Sequence, residues 1–99
     1  MSLRYKTAAI KLTTMKFYFS KHVQEQLEKR KISKTLIEQV LETPGQTVPE
    51  VDNLTCFQSQ VTIDGKRYLV RVIVNTTVHP PVVVTAYRTT KIQKYWRES

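Results

Sequence analysis

Apolar residues recur with a helical period in the first half of the chain and alternate in the second half. A spacing of three to four positions is typical of helices that bury one face. It predicts one helix over residues 21–31 and a second over residues 34–42. Ser20 and Ser33 precede these helices as N-caps, since a serine hydroxyl accepts a backbone N–H of the first turn. The predicted buried positions are Val23, Leu27, Leu36, Ile37, Val40 and Leu41.

The remainder of the chain is typical of short strands separated by turn signals. Aromatic and alternating apolar residues predict strands over residues 16–19, 46–51, 54–63, 66–74 and 82–88. Asp64-Gly65 predicts a two-residue hairpin turn, because both positions of a type I′ turn need a positive φ. The near-continuous apolar run of the last strand indicates a central strand that is buried on both faces. The polar tail, residues 89–99, predicts at most a short helix.

The element order β-α-α-β-β-β-β predicts an α+β fold, with two helices packed on one face of an antiparallel sheet of four to five strands. Residues 1–14 lack a sustained period and are predicted to be a flexible arm or an extension, with residues 15–99 forming one domain. Strand alternation places Tyr68, Val70, Val72 and Val74 on one face of their strand and Arg67 and Arg71 on the other. If the first group meets the helices, the two arginines lie on the open face. Because a charged side chain is costly to bury in the middle of a sheet, we expect that face to be solvated or occupied by a ligand.

The formal net charge is +8, and the positive charge is concentrated in the carboxyl-terminal third of the chain. Residues 45–65 hold no lysine or arginine, whereas residues 66–99 are rich in both and hold Glu98 as their one acidic residue. This distribution favours a polyanionic partner, with nucleic acid the first candidate, over a surface that is basic merely for solubility. The predicted nucleic-acid-binding residues, expected to share one positive region, are Arg67, Arg71, Arg88, Lys91 and Lys94.

Other residue types narrow the functional class. No stretch approaches eighteen consecutive apolar residues, so we expect no membrane span. Cys56 is the one cysteine and cannot form an internal disulfide, which fits a cytoplasmic protein. We predict Cys56 to be a half-buried strand residue rather than a nucleophile. His22 and His79 have no cysteine or acidic neighbours at metal-ligand intervals, so we expect no metal and no cofactor.

Short motifs add a resemblance to a known family. They are His22, Arg30, Lys31-Ile32-Ser33, Thr43-Pro44, the segment from Asp64 to Val72 and the segment from Val84 to Arg88. With these motifs, residues 16–96 resemble the uncharacterised domain family that sits beside BrnT-type toxins in the RelE/ParE toxin superfamily. The resemblance implies a compact RelE-like sheet, a gene encoded beside an antitoxin, and for many relatives an mRNA-cleaving activity. Other relatives inhibit gyrase.

The resemblance also implies roles for particular residues. Cleavage in such toxins needs no metal, because the 2′-hydroxyl attacks the adjacent phosphate while side chains move protons and stabilise charge. Arg71 matches a sheet arginine that would stabilise the phosphate, and Tyr87 lies where relatives contribute from the last strand. Tyr95 lies in a tail segment that often carries the terminal acid or base. His22 is a candidate base because histidine exchanges protons near neutral pH, with a purely structural role as the alternative. A core role is likewise the alternative for Tyr87.

These inferences support one leading hypothesis and two alternatives. The first is the toxin component of a type II toxin–antitoxin system, acting as a metal-independent mRNA endoribonuclease or as its inactive relative. Its expected partners are RNA, including ribosome-bound mRNA, and a cognate antitoxin protein. The second hypothesis is a non-catalytic nucleic-acid-binding module that uses the same basic face. The third is a ParE-like inhibitor directed at a protein such as gyrase.

Overall fold

A computed structural model of the chain describes residues 16–98, so the arm predicted over residues 1–14 lies outside the described residues. The helices and strands follow the predicted order. The helices are α1 (Lys21–Lys29), α2 (Lys34–Glu42) and α3 (Ile92–Tyr95). The strands are β1 (Tyr18–Phe19), β2 (Gln46–Pro49), β3 (Thr55–Ile63), β4 (Lys66–Asn75) and β5 (Val82–Thr89). A short 3₁₀ turn, Val51–Asn53, joins β2 to β3, and the polar tail contains the short helix α3.

The five strands form one sheet in the order β1-β5-β4-β3-β2. The predicted α+β class, with two helices ahead of the main strands, is confirmed. The sheet is mixed rather than purely antiparallel, because β1 runs parallel to β5 while the other neighbours are antiparallel. Asp64 and Gly65 have φ values of 52° and 78°, so the hairpin turn between β3 and β4 has the predicted left-handed conformation at both positions.

The central strand is β4, so the prediction that β5 is central was wrong. The outer neighbour of β5 is the two-residue β1, and Val84 of β5 is 41% exposed. The end of α1 covers part of the remaining edge, since Arg30 Nη1 donates to the Ala86 carbonyl at 2.7 Å. The apolar run of β5 reflects burial against the helices at Val83 and Ala86, not burial on both sides.

Capping explains where the two larger helices begin and end. The Ser20 and Ser33 hydroxyls accept backbone N–H groups at 3.1 and 3.0 Å, as predicted for N-caps. Helix α1 ends at Lys29, two residues before the predicted end. Lys31 has a φ of 57°, and this left-handed residue lets the Ile32 N–H bond back to the Leu27 carbonyl at 2.9 Å. This is a Schellman motif, in which glycine usually occupies the position that Lys31 takes.

Helices α1 and α2 pack on one side of the sheet, here called the helix face. The core there contains Val23 and Leu27 from α1, with apolar residues of α2, β4 and β5. Val70, Val72 and Val74 are fully buried in it, which confirms the predicted inward parity of β4. The opposite side is called the tail face, because the chain after β5 folds back across it. No helix among residues 16–98 is long and apolar enough to cross a membrane.

Candidate nucleic-acid interface

The register of three neighbouring strands assembles a polar cluster on the tail face. Arg71 on β4 lies opposite Gln58 on β3 and opposite Tyr87 on β5. Residues that lie directly opposite each other in an antiparallel pair share a face. These three side chains therefore form a row across the middle of the sheet, on the side away from α1 and α2.

All three guanidinium nitrogens of Arg71 are hydrogen-bonded within the chain. Its Nε donates to Gln58 Oε1 at 2.8 Å, its Nη1 to the Tyr87 hydroxyl at 2.7 Å and its Nη2 to Glu50 Oε2 at 2.8 Å. The Tyr95 ring covers the guanidinium, with its centroid 4.3 Å from Cζ. Arg71 is consequently 4% exposed. The prediction of an open face, solvated or occupied by a ligand, was wrong at this position, because the chain's own tail occupies it.

The tail is held in place by side chains from the opposite edge of the sheet. Gln46 on β2 donates to the Arg97 carbonyl, and its own Oε1 accepts from the Arg97 N–H at 3.1 Å. The Gln58 amide nitrogen donates both to Gln46 Oε1 and to the Tyr95 carbonyl. A Cβ at Gly45 would lie 3.0 Å from the Trp96 ring, closer than most such contacts, so a larger residue here would require the ring to shift by a few tenths of an ångström. The tail is thus an integral layer of the fold on this face.

The charges in the cluster are mutually compensated. Arg71–Glu50 is the single salt bridge within the described part of the chain. Burial opposes charge on Arg71, but its hydrogen bonds to Tyr87 and Glu50 outweigh that effect and raise its pKa. Burial also raises the pKa of Tyr87, against the opposing influence of Arg71. The cluster therefore holds a charged arginine and a neutral tyrosine at neutral pH.

Cys56 lies beside this cluster and is completely buried, not half-buried as predicted. It packs with Val48 and Ile73 in a small second core on the tail face. Its Sγ lies 3.8 Å from Gln58 Oε1. Burial raises the pKa of the thiol, so Cys56 stays protonated and inaccessible. This supports a structural role for Cys56.

The structure separates His22 from the other predicted catalytic residues. His22 is exposed on α1, where Gln26 Nε2 lies 3.3 Å from its Nε2. Because α1 packs on the helix face and Arg71 lies on the tail face, the sheet stands between them. Arg71, Tyr87 and Tyr95 do come together, with the two tyrosine rings 6.4 Å apart in an edge-on arrangement. Three of the four predicted catalytic residues therefore lie together, and His22 lies apart from them.

The predicted nucleic-acid-binding residues do not share one face. Arg88 lies opposite Val70 in the β4–β5 ladder and so points to the helix face, whereas Arg67 has the parity of Arg71. Lys91 and Lys94 are exposed on the tail segment. The prediction of a single positive region on the open face was thus wrong for Arg88.

The exposed cations are related by position along the sheet instead. The β3–β4 turn and the end of β5 lie at the same end of the sheet, since Leu69 is paired with Thr89. This brings together four half-buried or exposed cations, here called the basic end: Lys66, Arg67, Arg88 and Lys91. Asp64 in the hairpin turn is the acidic residue among them, and it forms no salt bridge with a described residue.

Several residues of functional interest were not predicted from the sequence. Glu50, Gln46 and Gln58 hold the tail-face cluster together, but a carboxylate or amide in a weak strand carries no signal of its distant partner. Tyr68 was assigned only to the helix side. Its ring lies 4.8 Å from Arg88 Cζ and 6.0 Å from Lys66 Nζ, measured to the ring centroid. The sequence signal for this group was two adjacent cations followed directly by an aromatic residue, Lys66-Arg67-Tyr68.

Comparison with known proteins gives one match. A family model described as Domain of unknown function (DUF4258) matches residues 19–88. No curated protein and no solved structure matches the chain significantly. The matched range includes Glu50, Arg71, Tyr87 and the cations from Lys66 to Arg88, whereas the tail that covers Arg71 lies beyond it.

Proposed function

This chain belongs to the DUF4258 family, a domain of unknown function, and we propose that it binds RNA through its basic end. The observation that carries the proposal is the placement of uncompensated cations. Among residues 16–98 the only salt bridge is buried at Arg71, while no described carboxylate pairs with Lys66, Arg67 or Arg88. Cations grouped at one end of a sheet, in a chain of net charge +8, suit a phosphate backbone.

The proposal includes a relationship to the RelE/ParE toxin superfamily. The element order and the motifs that resemble that superfamily support it. On this basis the chain is the toxin component of a type II toxin–antitoxin system in the cytoplasm, or an inactive relative of such a toxin, with a cognate antitoxin and mRNA as expected partners. The net charge of +8 is compatible with an RNA partner. Residues 16–98 contain no helix that could cross a membrane.

Between binding and cutting, the geometry favours binding. Arg71, the residue expected to stabilise the phosphate, is 4% exposed. Its guanidinium already donates hydrogen bonds to Gln58, Tyr87 and Glu50. His22, the candidate base, lies on the other side of the sheet. The proposed function is therefore that of the inactive relative or the non-catalytic binding module, with Arg71 as a structural anchor.

Cleavage is a second candidate, favoured by the meeting of Arg71, Tyr87 and Tyr95 on the tail face. A neutral tyrosine beside a cation is suited to protonate a leaving oxygen while the cation stabilises the phosphate. Glu50 is the group in this cluster that could accept the 2′-hydroxyl proton. Because Tyr95 covers Arg71, the tail would have to move before RNA reached these groups.

Salt-dependent binding tests the primary proposal. The affinity for a labelled single-stranded RNA is measured by fluorescence anisotropy between about 50 and 200 mM salt, where each phosphate contact contributes about 0.7 to the slope for single strands. We expect a steep linear fall of log affinity with log salt, and a shallower slope for Arg67→Gln. Binding that is absent at the lowest salt, or independent of salt, contradicts the proposal.

Expression in cells separates binding from cleavage. Growth and new RNA 5′ ends are scored for the wild type, Arg71→Ala, His22→Ala, Tyr87→Phe and Tyr95→Phe, with cleavage repeated in vitro in the presence of EDTA. We expect the wild type to bind RNA without producing new ends. New ends that disappear in Tyr87→Phe and Tyr95→Phe, but not in His22→Ala, establish the second candidate. Growth arrest without RNA binding or cleavage points instead to a protein target.

A further inference from the structure

The helix face carries an aromatic–cation group that the tail-face cluster does not include. Tyr68 lies between Lys66, two positions before it on β4, and Arg88 on β5. The ring centroid lies 6.0 Å from Lys66 Nζ and 4.8 Å from Arg88 Cζ. Lys66 is exposed, and Tyr68 and Arg88 are half-buried. These three residues are called the hairpin cluster below.

The two cations of the hairpin cluster have no ion-pair partner among the described residues. Among residues 16–98, no carboxylate forms a salt bridge with Lys66 or Arg88. The nearest acidic residue along the chain is Asp64 in the adjoining turn, which also forms no salt bridge. Two cations held against one aromatic ring, without a neutralising partner, leave their remaining donors available to an anion.

The cluster also offers an apolar surface. Val61 on β3 lies directly opposite Tyr68, and both are half-buried on the helix face. Side chains that are directly opposite in a sheet pack against each other. Both cations lie over the Tyr68 ring, and Lys66 is the more distant and the more exposed of the two. A planar group can therefore displace the flexible Lys66 side chain from the ring, and a negative charge on the same ligand can bind the two cations.

We propose that the hairpin cluster binds one nucleotide of single-stranded RNA, with the base stacked on Tyr68 and the flanking phosphates bound by Lys66 and Arg88. This inference rests on the proposed RNA-binding function and specifies where and how it is carried out. Single-stranded RNA is favoured because its unstacked bases can lie on a protein ring, whereas the bases of a duplex are stacked on each other. Since every base has a π-face, the site tolerates any base.

Substitutions at Tyr68 test the stacking. Base–aromatic stacking is worth about 1–3 kcal/mol, so Tyr68→Ala should weaken binding of a labelled oligouridine by about 5- to 150-fold. Tyr68→Phe keeps the ring and should bind like the wild type. Tyr18→Ala is the matched control, because Tyr18 is a 55% exposed strand tyrosine away from the basic end. Affinity for a duplex of the same length should be equal for Tyr68→Ala and the wild type.

Charge and stacking are separated by salt dependence. Lys66→Gln removes a phosphate contact and should lower the slope of log affinity against log salt by about 0.7. Tyr68→Ala removes no charge and should leave that slope unchanged. Lys66 is exposed, so this variant tests the site even if Tyr68→Ala fails to fold.

Photochemical crosslinking locates the site in the wild-type protein. RNA carrying 4-thiouridine is irradiated in complex with the protein, and the modified peptide is identified by mass spectrometry. We expect the crosslink within residues 66–71. If the wild type binds RNA but crosslinks elsewhere, or Tyr68→Ala folds and binds as tightly as the wild type, this inference fails while the RNA-binding function stands. If the wild type binds no RNA, both fail.

Discussion

Two arginines of this chain lie on adjacent strands, each against a tyrosine ring, and only one of them is closed to solvent. Arg71 on β4 lies 4.3 Å from the Tyr95 ring on the tail face. Arg88 on β5 lies 4.8 Å from the Tyr68 ring on the helix face. Arg71 has a carboxylate partner in Glu50 and bonds through all its nitrogens, whereas no described carboxylate pairs with Arg88.

The comparison shows that contact with a ring does not assign an arginine to function or to structure. The difference comes from the carboxylate and from the layer of chain above the ring. A buried and paired arginine stabilises its surroundings because removing it leaves its partners unsatisfied. An arginine without a carboxylate partner retains its attraction for an external phosphate.

The largest expected effect is on stability. Arg71→Ala leaves Glu50 and Gln58 without their buried partner, so the free energy of unfolding should fall by about 3–5 kcal/mol. Arg88→Ala should change it by less than about 1 kcal/mol, because no ion pair is lost. Urea denaturation followed by Trp96 fluorescence measures both. Equal losses of stability in the two variants would mean that Arg71 and Arg88 do not differ in their structural role.

The tail contributes the next largest effect. Gly45→Leu forces a side chain into the space of the Trp96 ring, which should destabilise the fold by about 1–3 kcal/mol. In a Trp96→Ala background the same change should cost less, because the opposing ring is gone. A double-mutant cycle measures this coupling energy. A coupling of zero would mean that Trp96 does not pack against Gly45.

Substitution of Arg88 tests the pair that it forms with Tyr68, which no described carboxylate neutralises. Arg88→Gln should make the salt dependence of RNA binding shallower by about 0.7, the contribution of one single-strand phosphate contact. Lys34→Gln is its matched control, because Lys34 Nζ lies 4.9 Å from the Phe19 ring in a comparable cation–π contact outside the basic end. Its slope should equal that of the wild type. Identical changes in both variants would mean that net charge, rather than position, determines binding.

The smallest expected effect is at alkaline pH. The raised pKa of Tyr87 means that the folded state holds this proton more tightly than the unfolded state. Its contribution to stability is therefore complete below a pH of about 10, the ordinary tyrosine value, and is lost as pH rises further. Tyr87→Phe should lose less stability between neutral and strongly alkaline pH than the wild type. Denaturation midpoints at several pH values measure the difference.

Local signals predicted most of the framework of this fold. Ser20 and Ser33 marked the helix starts, and Asp64-Gly65 marked the hairpin, because capping and turn chemistry involve neighbouring residues. The end of α1 was misplaced because Lys31, not a glycine, takes the left-handed position. Such a residue gives no sequence signal for a helix end.

Non-local pairing accounts for what the sequence did not predict. Strands β4 and β5 are both apolar, and their order in the sheet depends on partners elsewhere in the chain. The relative facing of Arg71 and Arg88 depends on the β4–β5 register, in which Arg71 pairs with Tyr87 and Val70 pairs with Arg88. The cover over Arg71 comes from Tyr95, and a polar tail with two aromatic residues does not reveal which strand it will lie on.

The bond between Gln46 and Arg97 has a consequence for the order of folding. It joins residues 51 positions apart, whereas the β3–β4 hairpin closes through a two-residue turn. Closing a long loop costs more conformational entropy than closing a short one, and contacts of this kind slow folding. We therefore expect the hairpin to form early and the tail to dock late, together with other long-range contacts such as the bond between Arg30 and Ala86, which are 56 positions apart. A contact that forms after the transition state mainly affects the unfolding rate, so we expect the docked tail to slow unfolding of the native state.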